Sequence, residues 1–164
     1  MMLMRGVLAV LLLSLCGCFV ITWGTVYQSL APDAGGLLRV QEKACLADCA
    51  LRLIVNDEAG EHQIFRKSDC VVEFAHANWT GSVVAAFVDG LYCKQIKVAY
   101  DVRAHRIVDF ESAAPALRAS IIENYKVTAQ ELQENGGDVF KWATYPGDGN
   151  PHRAKNEFKA RYGR

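Results

Sequence analysis

Residues 82–102 read SVVAAFVDGLYCKQIKVAYDV, and this stretch decides the predicted fold. Its first half is an apolar run, and the Asp89-Gly90 dipeptide that follows favours a type I′ turn between antiparallel strands. In its second half, one face would carry Ile96, Val98, Tyr100 and Val102 and the other Gln95, Lys97 and Asp101, which is the period of a strand with one buried face. The stretch therefore predicts a β-hairpin.

Other strands are predicted on both sides of this hairpin. Leu51, Leu53 and Val55 share one parity, and the turn-forming residues 57–60 follow them. A further strand is expected over residues 62–75, with a break near residues 67–69, and a last one over residues 106–110. The middle of the chain is therefore predicted to be an antiparallel meander of about five strands.

The sequence becomes helical in character after residue 112. A helix is predicted over residues 115–125, and Thr128 with Glu131 forms a capping box for a second helix that Gly136-Gly137 ends. A final helix is expected to begin at Asn150. Strands followed by helices indicate the α+β class, with the C-terminal helices covering one face of the sheet.

The N-terminal residues predict attachment to a membrane. Arg5 is followed by residues 6–27 without a charge, a length of ~33 Å as a helix, enough to cross a hydrocarbon core of ~30 Å. The basic start predicts a cytoplasmic N-terminus and an exported C-terminal domain. The expected organisation is an N-terminal hydrophobic anchor helix or signal segment at residues 1–27, a spacer at residues 28–44 that includes a short helix, and an extracytoplasmic α+β domain at residues 45–164.

Two alternatives to a retained transmembrane helix stay open. The segment Leu15-Cys16-Gly17-Cys18 resembles a bacterial lipobox, in which Cys18 would be the acylated residue. A cleaved signal peptide is the other alternative, since a basic start precedes an apolar run. Each alternative still places the domain outside the cytoplasm, in the periplasm or the extracellular space.

Four cysteines lie outside the hydrophobic segment, and in a small exported domain they predict two disulfides. If the hairpin after Val55 has a two-residue loop at residues 59–60, Cys49 and Cys70 face each other, which leaves Cys45 to pair with Cys93. A loop of three residues would instead place Asp69 opposite Cys49. The C-x3-C spacing of Cys45 and Cys49 could also serve a metal or redox site, but disulfides are the favoured interpretation.

No catalytic motif or metal-ligand spacing is recognisable, and the four histidines are scattered. Trp142 and Tyr145, in the glycine-rich and aromatic segment 136–151, are candidates for contact with a partner. The competing interpretation, which we favour for Trp142, makes it a core residue.

The net charge of the chain does not indicate a class of partner, because 18 basic residues balance 18 acidic ones. We therefore expect no nucleic acid, and we also expect no cofactor. The favoured function is a membrane-anchored, non-enzymatic binding or accessory module of the cell envelope, with a protein or another envelope component as its partner. The alternatives are an envelope hydrolase with an unrecognised active site and a structural subunit of a membrane complex.

Overall fold

The computed structural model describes residues 22–33, 35–43 and 49–144. These residues form eight strands and, after them, three helices. The strands are β1 (Trp23–Leu30), β2 (Leu37–Lys43), β3 (Ala50–Asp57), β4 (Gly60–Ser68), β5 (Val71–Thr80), β6 (Val83–Leu91), β7 (Cys93–Asp101) and β8 (Arg106–Val108). The helices are α1 (Phe110–Tyr125), α2 (Ala129–Glu134) and α3 (Val139–Trp142).

The strands form two four-stranded antiparallel sheets, with the orders β1-β2-β3-β4 and β5-β6-β7-β8. The prediction of one meander of about five strands was therefore too simple. The expected break near residues 67–69 divides the long predicted strand between the two sheets. Asp69 adopts a left-handed conformation there, with φ of 54°, and turns the chain from the first sheet into the second.

The main core lies between the two sheets. Alternate residues of β3 point into it, as the period of two predicts for Leu51, Leu53 and Val55. The facing residues of the second sheet include Val84, Ala86, Val88, Ile96, Val98 and Tyr100.

The helices cover the outer face of the second sheet, so the fold has three layers. Helix α1 buries Ala114, Leu117, Ile121 and Tyr125, a spacing of three or four residues that places them on one side of a helix. Beneath the helices lie Phe74, Ala85, Phe87 and Ala99, from the face of the second sheet opposite the main core. Strand β6 is buried on both faces, which explains its unbroken apolar run.

The predicted helices are confirmed in part. Helix α1 begins earlier than expected, because Asp109 caps it by accepting a hydrogen bond from the Ser112 amide. The capping box of Thr128 and Glu131 is present, and the two glycines after α2 have positive φ. The final helix expected from Asn150 lies outside the described residues.

The start of the domain corrects the predicted organisation. Residues 23–27, assigned to the end of the anchor helix, belong to strand β1, and the predicted spacer contributes the rest of β1 and all of β2. Tyr27 is part of the main core, where its hydroxyl accepts a hydrogen bond from the Ala77 amide at 2.9 Å. The apolar run therefore continues into an edge strand, in which Tyr27 is the buried residue. No helix in the described part of the chain is both long and apolar enough to cross a membrane.

The disulfide pairing also differs from the prediction, because Cys70 is bonded to Cys93. The two-residue loop of the β3–β4 hairpin consists of residues 58–59 and not 59–60, because Asp57 pairs with Gly60. A bulge between Leu53 and Ile54 recovers one of the two positions lost in this way, so that Ala50 faces Ser68. Cys49 consequently lies opposite Asp69, whose amide donates a hydrogen bond to the Cys49 carbonyl at 2.8 Å. Cys49 is disulfide-bonded as well, whereas Cys45 lies outside the described residues.

Gly90 makes room for the Cys70–Cys93 disulfide. Gly90 lies in β6, which pairs with β5 on one side and with β7 on the other. Strand β5 begins directly after Cys70, and β7 begins at Cys93. A Cβ atom at position 90 would overlap the Val71 carbonyl oxygen and lie 2.9 Å from Cys93 Sγ. Gly90 is therefore a strand residue here rather than the predicted turn residue, and Tyr92, with φ of 65°, occupies the left-handed position between β6 and β7.

Candidate functional site at one end of the sandwich

Three polar side chains converge where the two sheets meet at one end of the sandwich. Asp57 ends β3, His62 lies on β4, and His105 is in the turn between β7 and β8. His62 Nε2 donates to Asp57 Oδ1 at 3.1 Å, and His105 Nδ1 lies 3.3 Å from Asp57 Oδ2. The two imidazole rings are 5.4 Å apart between centroids. The first sheet thus contributes two of the side chains and the second sheet one.

The local fold of the β3–β4 hairpin positions Asp57. This residue continues the inward-facing side of β3 that Leu53 and Val55 begin, so its carboxyl points between the sheets. Its Oδ1 also accepts a hydrogen bond from the Ala59 amide at 2.8 Å, which stabilises the turn that follows. One carboxylate therefore orders the turn and contacts both histidines.

A second carboxylate orders the turn that carries His105. Asp101 Oδ1 accepts hydrogen bonds from the Arg103 amide at 2.9 Å and the Ala104 amide at 3.3 Å. His105 itself has φ of 47°, in the left-handed region that only a few per cent of non-glycine residues adopt. The turn thus holds the imidazole of His105 against a group from the other sheet.

Burial differs within this cluster. The Asp57 side chain is 5% exposed, whereas those of His62 and His105 are 32% and 49% exposed. Burial opposes ionisation of Asp57, but hydrogen bonds from the Ala59 amide and His62, with the charges of His62 and His105, outweigh it and lower the pKa of this carboxyl. Burial, and then the charges of Asp57 and Asp101, raise the pKa of the neighbouring Tyr100. A buried negative charge therefore lies at the centre of the cluster.

A cavity of about 580 Å³ opens beside these residues. The loops between β1 and β2, β3 and β4, and β7 and β8 form its walls, so three connections of a rigid sandwich meet there. Charged side chains of both signs line it. The lining residues are Asp33, Gly35, Asp57, Glu58, Ala59, Val102, Arg103 and His105.

The cluster has the donor atoms for a cation. The two imidazole nitrogens and a carboxylate oxygen all lie within 4.8 Å of one another. Within the described ranges, no other three His, Cys, Asp or Glu side chains converge in this way. Imidazole and carboxylate are also the groups that transfer protons in general acid–base chemistry.

A separate histidine is buried under helix α1. His76 Nε2 lies 2.9 Å from Ser120 Oγ, and the His76 ring packs edge-on against Tyr125 at 5.5 Å between centroids. The Ser120 hydroxyl and carbonyl both accept hydrogen bonds from the Asn124 amide group. The helical layer covers this group, which therefore joins α1 to the second sheet as a polar contact within the core.

Of the candidate partner contacts and the candidate lipidation site, the structure describes Trp142 alone. Trp142 is 2% exposed and packs in the core under the helices, so the core interpretation is the one that applies to it. Its burial removes it as a partner contact, because the segment Val139–Trp142 forms helix α3 against the sheet. Tyr145 and Cys18 lie outside the described residues.

Sequence reasoning did not bring Asp57, His62 and His105 together. A usable signal was present for Asp57, because it has the same parity as Leu53 and Val55 and so extends the inward face of the strand. His105 comes from the other sheet, and the packing of one sheet on the other cannot be read from strand periodicity. No protein-family model, no curated protein and no solved structure matches this chain.

Proposed function

We propose that the chain is an extracytoplasmic binding module, held at a membrane by its N-terminal segment, that recognises its partner at the Asp57 end of the sandwich. The observation that carries this proposal is the polar cavity of about 580 Å³ formed there by three loops. Binding residues are commonly found on loops that a rigid scaffold positions. The partner would be a protein or another component of the cell envelope.

The chemistry of the cavity supports recognition of a polar partner. Asp33, Asp57 and Glu58 supply negative charge, and Arg103 supplies positive charge. Paired hydrogen bonds to such groups give specificity, since a partner that leaves buried polar groups unpaired binds less well. A flat apolar surface would not discriminate in this way.

The disulfides support an extracytoplasmic location, because disulfides persist in oxidising compartments. Both Cys49 and the Cys70–Cys93 pair are oxidised. A reporter that is active only outside the cytoplasm, fused after Arg164, should therefore be active. Activity of a cytoplasm-only reporter at the same position would contradict the proposed location.

The start of β1 bears on how the module is attached. Since β1 begins at Trp23, the uncharged run before the domain covers residues 6–22, roughly 25 Å as a helix against a hydrocarbon core of ~30 Å. This run is at the lower limit of the ~17–25 residues of a spanning helix, so we prefer attachment through acylated Cys18 and keep the retained transmembrane helix as the alternative. The substitution Cys18→Ser should then abolish acyl labelling, whereas a transmembrane protein would be unaffected.

Photo-crosslinking in the cells that make the protein tests the binding proposal. A photoreactive residue replaces Glu58, which is exposed at the cavity, or Tyr92, which is 80% exposed in the turn at the opposite end of β7. A partner that binds at the cavity should be crosslinked from position 58 and not from position 92. Crosslinking from position 92 alone, or equally from both positions, would contradict the proposal.

A further inference from the structure

The geometry of Asp57, His62 and His105 points to a zinc site, and we propose that these three side chains bind one Zn²⁺. The inference rests on the proposed function in one respect, which is that both place a binding site at the Asp57 end of the sandwich. It adds that the surface which recognises the partner contains a metal ion.

The distances between the donor atoms fit this ion. Zinc binds imidazole nitrogen and carboxylate oxygen at about 2.0–2.2 Å, so neighbouring ligands of a tetrahedral site lie roughly 3.3–3.5 Å apart. The His62–Asp57 and His105–Asp57 contacts, at 3.1 and 3.3 Å, are within a few tenths of an ångström of that spacing. All three donors lie within 4.8 Å of one another, so no pair exceeds the tetrahedral spacing by more than about 1.5 Å.

Burial of the carboxylate supports a cation more strongly than spacing does. Asp57 Oδ2 is buried, and among the described residues no group donates a hydrogen bond to it, although His105 Nδ1 lies nearby. A buried carboxylate oxygen without a donor is costly, and a bound cation removes that cost. An ion between Asp57 and the two imidazoles would satisfy this oxygen directly.

The donor set selects among the common divalent cations. Mg²⁺ and Ca²⁺ prefer shells made of oxygen, whereas two imidazoles and one carboxylate suit zinc. Three protein ligands also leave one coordination position for water or for a donor group of the partner. Because Asp57 and His105 line the cavity, a group bound there is within reach of that position.

The metal would also join the two sheets. His62 and Asp57 belong to the β3–β4 hairpin, whereas His105 belongs to the β7–β8 turn. A ligand that binds only the folded state stabilises it in proportion to the logarithm of its concentration. Zinc should therefore raise the melting temperature of the protein as well as bind at a ratio of one ion to one chain.

Zinc titration of the full chain in a mild detergent tests the site, with calorimetry and thermal melts as the two measurements. The variants His105→Asn and His62→Gln each remove one ligand. Asn is among the residues that best tolerate the left-handed backbone of position 105, so the turn is retained. His152→Asn is the matched control, because it removes one histidine elsewhere in the sequence.

We expect saturable binding of one Zn²⁺ that is weakened at least about tenfold in each ligand variant, since even residues that only support metal ligands contribute 10–100-fold. The His152→Asn control should bind zinc as the unaltered chain does. Mg²⁺ should leave the melting temperature of the unaltered chain unchanged. Absence of saturable zinc binding, full binding by His105→Asn, or equal weakening by His152→Asn would each overturn the proposal. Zinc binding measured on the purified chain does not depend on crosslinking from position 58, so the two proposals can fail separately.

Discussion

At the end of the sandwich where β4 passes into β5, a disulfide joins Cys70 to Cys93 and packs against Gly90. At the opposite end the sheets are joined by Asp57 and two histidines, beside an open cavity. Cys70 is fully buried and Cys93 nearly so, whereas His62 and His105 are in contact with solvent. The end with the Cys70–Cys93 disulfide is closed to solvent and is called the covalent end. The end with Asp57, His62 and His105 is open to solvent and is called the ionic end.

This difference bears on which end of the sandwich could bind the proposed ligand. A disulfide constrains the unfolded chain, and its effect is independent of salt at any strength that leaves the bond intact. Contacts between partly exposed charges are screened by salt and contribute little stability by themselves. The proposed cation or partner could therefore bind at the ionic end without loss of the fold, because the apolar core between the sheets holds them together.

The largest effect is expected from Trp142→Ala, in the helical layer that covers the second sheet. Loss of this buried ring should lower the free energy of unfolding by about 3–5 kcal/mol through transfer and cavity terms. Lys141→Ala is the control, since Lys141 is exposed on the same short helix and a surface substitution changes stability by roughly 0.5 kcal/mol at most. Urea unfolding of the full chain measures both. Equal stability of the two variants would place Trp142 on the surface after all.

The covalent end is tested by the double variant Cys70→Ala, Cys93→Ala. The two cysteines are separated by 23 residues, and closing a loop of that length stabilises a fold by roughly 3 kcal/mol in the chain-entropy model. The loss should be the same at low and high salt, unlike that of any substitution at the ionic end. Non-reducing peptide mapping of the unaltered chain must first recover Cys70 linked to Cys93. Recovery of Cys49 linked to Cys70 would restore the pairing that the sequence predicted.

Local patterns were enough to predict much of this fold. The alternation in β3 and β7, the capping box of α2 and the helical cover over one sheet face follow from periodicity and side-chain chemistry near each residue. Assignment of the strands to two sheets was not accessible, because the turn between them depends on Asp69 in a conformation more typical of glycine. Strand β1 was missed because its residues continue an apolar run.

The candidate site was less predictable than the fold for a different reason. Asp57 and His62 lie on either side of one turn, but His105 is about 40 residues further along the chain, in the other sheet. Their proximity depends on how two sheets pack, which periodicity does not specify. The disulfide pairing was wrong for a more local reason, because the hairpin loop consists of residues 58–59 and not 59–60. This changes the register by two positions, of which the bulge at Leu53 and Ile54 restores only one.

A smaller effect at the covalent end is expected from Gly90→Ala. The new methyl group would overlap the Val71 carbonyl and crowd Cys93 Sγ, and overpacking of this kind costs about 1–3 kcal/mol. Gly24→Ala is the matched control, because position 24 is exposed in β1 and the nearest atom to its added Cβ is 3.8 Å away. Thermal melts compare the two variants. If both melt as the unaltered chain does, β6 has more room at the disulfide than the structure shows.

The smallest effect is expected from Asp101→Asn, which weakens the turn that holds His105 at the ionic end. A hydrogen bond from Ser82 lowers the pKa of Asp101; burial opposes this, and the Ala104 and Arg103 amides and the charge of Arg106 add to the lowering.

Because the folded state has the lower pKa, ionised Asp101 stabilises it above the carboxyl's ordinary value of 3.8, and this contribution is lost as the pH falls through the lowered value. Asp101→Asn should therefore melt below the unaltered chain at neutral pH, and the difference should shrink as the pH falls below about 4. The loss in the Cys70→Ala, Cys93→Ala variant should not change over the same range. Ser82→Ala removes a hydrogen bond to Asp101, so adding Asp101→Asn to it should lower the melting temperature less than Asp101→Asn does alone. A gap between Asp101→Asn and the unaltered chain that stays constant from neutral pH to below pH 4 would show that the charge of Asp101 does not stabilise the turn.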